Sequence, residues 1–201
     1  LKSPAEFESE LSYPLDVYFC EQCSLVQLTD VVDPKLLFGN YIYVTGTANT
    51  IVSHNQQYAE TVVELLRLSG DDLVIEVASN NGSLLGCFRE RGVRTIGIEP
   101  AENIAAMANA DGIQTVNKFF NSANANEILR EYGSARAVIG NNVLAHVDDT
   151  QDFLKGSKSL LSDDGLVIIE VPYLKEFVDL VEFDTVYHEH LCYFSVTSLM
   201  R

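Results

Sequence analysis

Two stretches of this chain carry residue types suited to chemistry. The first, "VYHEHLCYFS" (186–195), holds two of only four histidines, with a glutamate and two tyrosines beside them. An imidazole next to a carboxylate is a proton-transfer pair, because the carboxylate fixes the ring tautomer and raises its basicity near neutral pH. Tyrosine hydroxyls at the same place can hold an oxyanion. His190, Glu189 and Tyr187 are therefore candidates for acid–base work, against the plainer readings of a metal site or a polar interface patch. In extended chain His188 and His190 would share one face. A turn would regroup them, and periodicity does not choose between the two. His146, in "NNVLAHVDD" (141–149), is the other histidine placed to meet a substrate, although a lone loop histidine is often merely solvated.

The second stretch, "VIEVASNNGSLL" (74–85), reads as a strand, a tight loop and a helix. A dinucleotide pyrophosphate calls for Gly-x-Gly-x-x-Gly ahead of the helix, and here only Gly82 is present. A pyrophosphate also gains nothing from Glu76, whereas a ligand carrying positive charge does. Small residues at Ala78, Ser79, Asn80, Asn81 and Gly82 let such a ligand lie close to the backbone, and S-adenosylmethionine fits that combination. Glu99, with Pro100 in "GIEP" (97–100), ends the next strand, where a carboxylate can accept both ribose hydroxyl protons. Phe119 in "NKFF" can pack on adenine or serve as an ordinary core residue. Two carboxylates at ordinary strand ends remain the bland alternative for Glu76 and Glu99.

The apolar pattern supplies a scaffold for these residues. A helix begins near Asn55, with Tyr58, Val62, Leu65 and Leu66 on one face and Gly70 closing it. Strands are expected over 72–79, 94–100, 113–120, from Ala135 into a loop, and over 166–173. Helices are expected over 83–92, 101–112, 121–133 and 150–165. Near-continuous apolar strands alternating with helices imply an α/β fold, a Rossmann-like doubly wound parallel sheet with both faces covered. Ligands bind such sheets beyond the carboxyl ends of the strands, where the strand order reverses, and His146 borders that crevice. Residues 1–50 read differently, with short β-rich alternation around "CEQC" (20–23), as a small separate module.

Composition narrows the classes. The chain has 201 residues, 47% hydrophobic and 21% charged, as a globular protein does. Thirteen basic against twenty-nine acidic residues leave a net charge of −16, which repels phosphate backbones and anionic lipids, so nucleic acid is not the expected partner. The longest apolar run, "GLVIIEVPY" (165–173), is far short of the roughly 18 residues of a membrane span. Four cysteines without a signal-peptide pattern point to a reducing, cytoplasmic location and no disulfide framework.

Taken in order, "VIEVASNNGSLL", "GIEP", "GNNVLAHVDD", "GLVIIEVPY" and "YHEHLCYFS" resemble the S-adenosylmethionine-dependent sugar C-methyltransferases that act at C3 of nucleotide-linked 4-keto deoxysugars. The resemblance implies a class I methyltransferase fold and base-catalysed enolate formation followed by methyl transfer. It makes His190 the general base, with Glu189 and Tyr187 orienting it or the sugar, and His146 beside the reacting carbonyl or hydroxyl. Tyr41, in "FGNYIYVTG", would reach in from the N-terminal segment, with Tyr43 as a second candidate, and Asn141 and Asn142 would line the methyl-donor side. Asn81 stands where the family usually has aspartate, and Ala78 where it often has glycine.

The family also carries an N-terminal zinc module with two Cys-x-x-Cys pairs, of which Cys20 and Cys23 are one. A structural zinc needs four ligands, and Cys87 and Cys192 sit elsewhere, so a half-site is expected. The implied organisation is a partial zinc module over 1–50, a cofactor domain over 51–185, and over 186–201 the start of a sugar-binding lobe, in a chain cut short at both ends. A small nucleotide sugar is the implied partner. An O- or N-methyltransferase of a small molecule, or a cofactor-binding fragment without turnover, are the other readings.

Overall fold

The computed structural model describes residues 10–45 and 49–201, so residues 1–9 and 46–48 of the expected N-terminal unit lie outside the described residues. The described chain opens with strands β1 (Val17–Phe19) and β2 (Val26–Leu28), paired antiparallel across the turn that carries Cys20 and Cys23. Helix α1 (Pro34–Phe38) follows, with Asp33 accepting a hydrogen bond from the Lys35 N–H and Pro34 in the first turn, where no donor is needed.

Helix α2 (Asn49–Leu66) buries Asn55, Ala59 and Val62. Its packed stripe is centred on those positions, so Leu65 falls at the margin and is 67% exposed, contrary to the expectation that it would pack.

The doubly wound unit comprises β3 (Leu73–Val77), α3 (Ser83–Glu90), β4 (Arg94–Ile98), α4 (Glu102–Ala110), β5 (Thr115–Val116), α5 (Ser122–Tyr132), β6 (Ala135–Asn141), α6 (Thr150–Leu160) and β7 (Leu161–Glu170). The sheet order is β5-β4-β3-β6-β7 and every pair is parallel, so the expected α/β architecture is present. Strand order reverses at β3, which opens the crevice at its carboxyl end. All five residues of β3 are buried. Leu73, Ile75 and Val77 enter a core with Ile128, Phe153 and Leu160, while Val74 enters a second core with Ala59, Val62 and Phe88. The period-two alternation thus fills both faces and makes β3 a rigid mount for Glu76.

Three elements differ from expectation. β5 ends after Val116 because the Asn117 side chain turns back to donate to the carbonyls of Glu99 and Pro100, at 2.8 and 2.9 Å. This leaves Phe119 in a loop. α6 stops at Leu160 rather than 165, because "SDDG" leaves the ladder as a bulge: Ala135 pairs with Leu161, but Ala137 pairs with Leu166. Glycine is required at 165, since a Cβ there would sit 2.7 Å from the Ala135 carbonyl oxygen. β7 lies at the sheet's edge among the described residues and is mostly half-buried, not covered on both faces as its apolar run implied.

Beyond β7 come α7 (Leu174–Asp179), a 3-10 turn (Phe183–Thr185), β8 (Cys192–Tyr193) and α8 (Val196–Leu199). β8 pairs antiparallel with β2, so the segments expected as the first and last units share one three-stranded sheet, β1-β2-β8. The Leu28 N–H donates to the Leu191 carbonyl at 2.9 Å and the Leu191 N–H donates to Ala145 at 2.8 Å. These bonds fix His190 next to the loop that follows β6. Among the described residues no helix is long and apolar enough to cross a membrane.

Candidate active site

A cleft of about 860 Å³ opens at the carboxyl ends of the parallel strands, a size typical of small-molecule sites. Glu76 projects into it from the buried face of β3. Burial, and then the neighbouring Glu99, push its pKa well above the usual carboxylate range. Its Oε2 is buried without a hydrogen-bond partner. A carboxyl group desolvated and left unpartnered is unfavourable, and a cationic ligand is what would relieve it.

The loop after β3 is built around left-handed residues, Ala78 at φ 55° and Asn80 at φ 50°, ahead of Gly82 at φ 75°. Such geometry is strained away from glycine. Asn80 offsets this with its own side chain, which accepts from the Asn81 N–H at 2.9 Å. The loop presses on β4: a Cβ at Gly97 would meet the Ser79 hydroxyl oxygen at 2.4 Å.

Glu99 is 4% exposed, and its two oxygens accept backbone N–H groups of Asn80 and Ala101, each at 2.8 Å. Burial raises its pKa, and these two bonds oppose the rise. Each oxygen keeps a lone pair for a further donor.

Pro100, Phe119, Asn141 and Asn142 also line the cleft, as do Ala78, Ser79 and Asn80. The Tyr58 hydroxyl holds Asn141 Oδ1 at 3.1 Å, and Asn142 donates to Glu170 Oε1 at 3.2 Å. Asn81 and Gly82 are not among the lining residues. Asn81 instead spends its amide on the Thr45 carbonyl at 2.9 Å and accepts from the Ser83 N–H at 3.2 Å.

Across the cleft, residues 187–190 form a turn closed by the His190 N–H on the Tyr187 carbonyl at 2.9 Å. His190 Nδ1 lies 2.9 Å from the Thr185 carbonyl oxygen, which accepts only. The ring proton therefore resides on Nδ1 and Nε2 is the free base, receiving the Tyr187 hydroxyl at 3.0 Å. Of the two roles expected for Glu189, orienting His190 or the sugar, the first is not formed: its Oε2 accepts the Tyr41 hydroxyl at 3.1 Å instead. Burial and the Glu189 charge push the Tyr41 pKa far up, so its hydroxyl stays protonated.

His146 stands edge-on to His190, ring centroids 4.9 Å apart at 81°. Burial first, and the His190 charge second, lower its pKa to about 4, so it is neutral near pH 7. Its Nδ1 is buried without a partner. His188 leaves the cluster, with Nε2 3.0 Å from the Pro14 carbonyl oxygen. Tyr41 and Tyr43 both line the cleft.

Several contributors escaped sequence reasoning. The Thr185 carbonyl has no side-chain signature at all. His54 lies 3.5 Å from Glu170 at the cleft's margin, and Tyr58 faces inward from α2; both come from a helix whose amphipathic pattern shows only that one side packs.

Cys20 and Cys23 sit on the β1–β2 turn, where hydrogen bonds from Cys23 and then the Gln22 backbone hold the Cys20 thiol below its ordinary value. That suits one half of a thiolate metal knuckle. Among the described residues no group of three or more histidine, cysteine or acidic side chains is arranged to hold a metal. Among the described residues the ligand set does not close a zinc site.

A family model described as "Methyltransferase domain" matches residues 52–201, and one described as "Putative zinc binding domain" matches residues 1–38. The chain is 42% identical over 190 residues to C-methyltransferase NovU of Streptomyces niveus, an alignment covering 94% of this chain and 45% of that protein. The chain thus spans less than half the length of this curated relative. Among solved structures, an S-adenosylmethionine-dependent methyltransferase from Archaeoglobus fulgidus superposes with a TM-score of 0.58 at 16% identity, covering 74% of this chain and 65% of that one. The plantazolicin methyltransferase BpumL, solved with S-adenosylhomocysteine, gives 0.56 at 11% identity, covering 78% and 68%. At these identities the likeness establishes the fold, the class I methyltransferase arrangement of a parallel sheet with flanking helices.

Proposed function

The chain belongs to the methyltransferase domain family, and from that premise we propose that it methylates C3 of a nucleotide-linked 4-keto deoxysugar, using S-adenosylmethionine. The observation that carries this reading is His190: its Nε2 is a free base by virtue of the Thr185 carbonyl, in the same cleft as the unpartnered Glu76 carboxyl. The 42% identity to a protein named C-methyltransferase supports carbon as the acceptor.

When bound, S-adenosylmethionine supplies an electrophilic methyl group on a positively charged sulfur. Glu76 would face the positive charges of the methionine portion, and Glu99 would accept the ribose hydroxyls with its remaining lone pairs. Phe119 and Pro100 would flank the adenine, and Asn141 and Asn142 would line the methionine side.

The C4 ketone acidifies the C3 proton, and His190 Nε2 removes it. The ring then carries protons on both nitrogens while Nδ1–H stays on Thr185, so the base does not turn as it becomes charged. The Tyr187 hydroxyl, freed from Nε2 by that protonation, and the neutral His146 are the donors available to the enolate oxygen. His146 suits this role because it is uncharged: a second imidazolium at this distance would oppose proton uptake by His190. The C3 electron pair then forms the new C–CH3 bond as the S–CH3 bond breaks, and the C3 proton remains on His190.

The test is a 4-keto sugar nucleotide deuterated at C3, followed by mass spectrometry. Methylated product that has lost the deuterium supports the mechanism. Methylated product that retains it removes C3 as the site and favours alkylation at oxygen or nitrogen.

A further inference from the structure

Asn80, Asn81 and Asn103 lie on two separate elements, yet all three side-chain amides face the backbone of residues 41–45. Asn103, in the first turn of α4, accepts from the Tyr41 N–H at 3.2 Å and donates to the Tyr41 carbonyl at 2.7 Å. Asn80 donates to the Tyr43 carbonyl at 3.0 Å and accepts from the Thr45 N–H at 2.8 Å. Asn81 donates to the Thr45 carbonyl at 2.9 Å. Main-chain groups at every second residue, 41, 43 and 45, are thus paired as a neighbouring strand would pair them, with amide side chains in the strand's place.

The segment so held is part of the site. Tyr41, Tyr43 and Thr45 line the cleft together with Ala78, Ser79 and Asn80, which makes 41–45 a wall beside the loop proposed to hold the methyl donor. At its start the Tyr41 hydroxyl reaches Glu189, one residue before the base. Glu99 ties the two amide-bearing elements to each other, since it accepts from Asn80 in the loop and from Ala101 at the start of α4.

We propose that Asn80, Asn81 and Asn103 are positioning residues that clasp residues 41–45 across the methyl donor and so carry Tyr41 to the carboxylate beside His190. The inference rests on the function proposed above. Asn103 is exposed and does not line the cleft, so its removal takes away no contact with donor or sugar. Its effect has to pass through Tyr41.

The experiment measures S-adenosylhomocysteine release by stopped flow, and turnover on the keto-sugar, for folded variants checked by thermal unfolding. Asn103→Ala is expected to speed release and to lower turnover, each by about tenfold, the worth of two modest hydrogen bonds. Asn103→Asp keeps the acceptor for the Tyr41 N–H and should fall between. Asn81→Asp keeps the acceptor for Ser83, loses only the bond to Thr45, and should also speed release. In a Tyr41→Phe background, Asn103→Ala should lower turnover little further, because both changes act through one hydroxyl.

Wild-type release from both Asn103→Ala and Asn81→Asp overturns the clasp, as does a turnover loss that multiplies in full with Tyr41→Phe. If wild-type protein binds S-adenosylhomocysteine but methylates no 4-keto sugar, the functional reading fails alone and release still decides the clasp. If it does not bind S-adenosylhomocysteine, both fall.

Discussion

His146 should make the folded state sensitive to mild acid. Its ring titrates at 6.5 when exposed and at about 4 in the folded protein, because burial and the His190 charge both penalise the imidazolium. Between those values the unfolded chain takes up a proton that the native chain refuses, so stability is full above the unfolded value and falls as pH drops toward the folded one. A gap of about 2.5 pH units at 1.36 kcal/mol per unit amounts to about 3 kcal/mol, of the order of a third of a typical domain's stability. The assay is urea unfolding from pH 7.5 to 4.5 on wild type and His146→Asn, comparing slopes rather than absolute values because the variant also alters packing. The common carboxylate titrations cancel in the difference. The wild-type curve should fall by about 2.5 kcal/mol more than the variant's over this range, which stops short of the folded value. Histidine NMR should show one ring proton titrating near pH 4 that is missing in the variant. Parallel stability curves, or a His146 ring that titrates near its ordinary value, would refute the claim that this site is closed to charge. The proposed role as a neutral donor would go with it.

Other consequences are open to measurement. His190→Ala should lower turnover by about 10²- to 10⁴-fold, as loss of a positioned base does, while calorimetry finds donor affinity little changed. Burial and the neighbouring Glu99 raise the Glu76 pKa, so its carboxyl resists ionisation; a cationic donor favours the ionised form, so affinity for S-adenosylmethionine should weaken as pH falls, and Glu76→Gln should flatten that dependence. Gly97→Ala places a Cβ 2.4 Å from the Ser79 oxygen and 2.9 Å from the Thr115 oxygen, neither at the end of a long flexible chain, and should destabilise by about 1–3 kcal/mol in denaturant unfolding. A stability equal to wild type would mean that the loop after β3 does not press on β4.

The parts of the molecule readable from the chain are those governed by short-range pattern. β3 announces itself because four apolar residues around Glu76, in a strand buried on both faces, leave little choice of register, and that placed Glu76 and the loop after it. The helix–strand alternation likewise yields the doubly wound fold class. Even there, the limits of β5 and β7 depended on non-local events: the Asn117 amide turning back onto Glu99, and a bulge accommodated against Ala135. Side-chain types made an acid–base centre one reading of the cluster, beside a metal site or a polar interface patch, because imidazole, carboxylate and phenol together suit proton transfer.

What the chain order could not decide was which of those groups touch. Glu189 adjoins His190 in sequence but bonds to Tyr41, 148 positions away, whereas the tautomer of His190 is set by a main-chain carbonyl that no residue type reveals. His146 and His190 meet because β8 docks on β2 and Leu191 hangs from Ala145, and burial first, with that meeting second, holds the His146 ring neutral. Local patterning selects secondary structure because neighbours along the chain share one backbone. Hydrogen-bond partners and pKa values depend on which surfaces are pressed together and dried, and those are properties of the assembled fold.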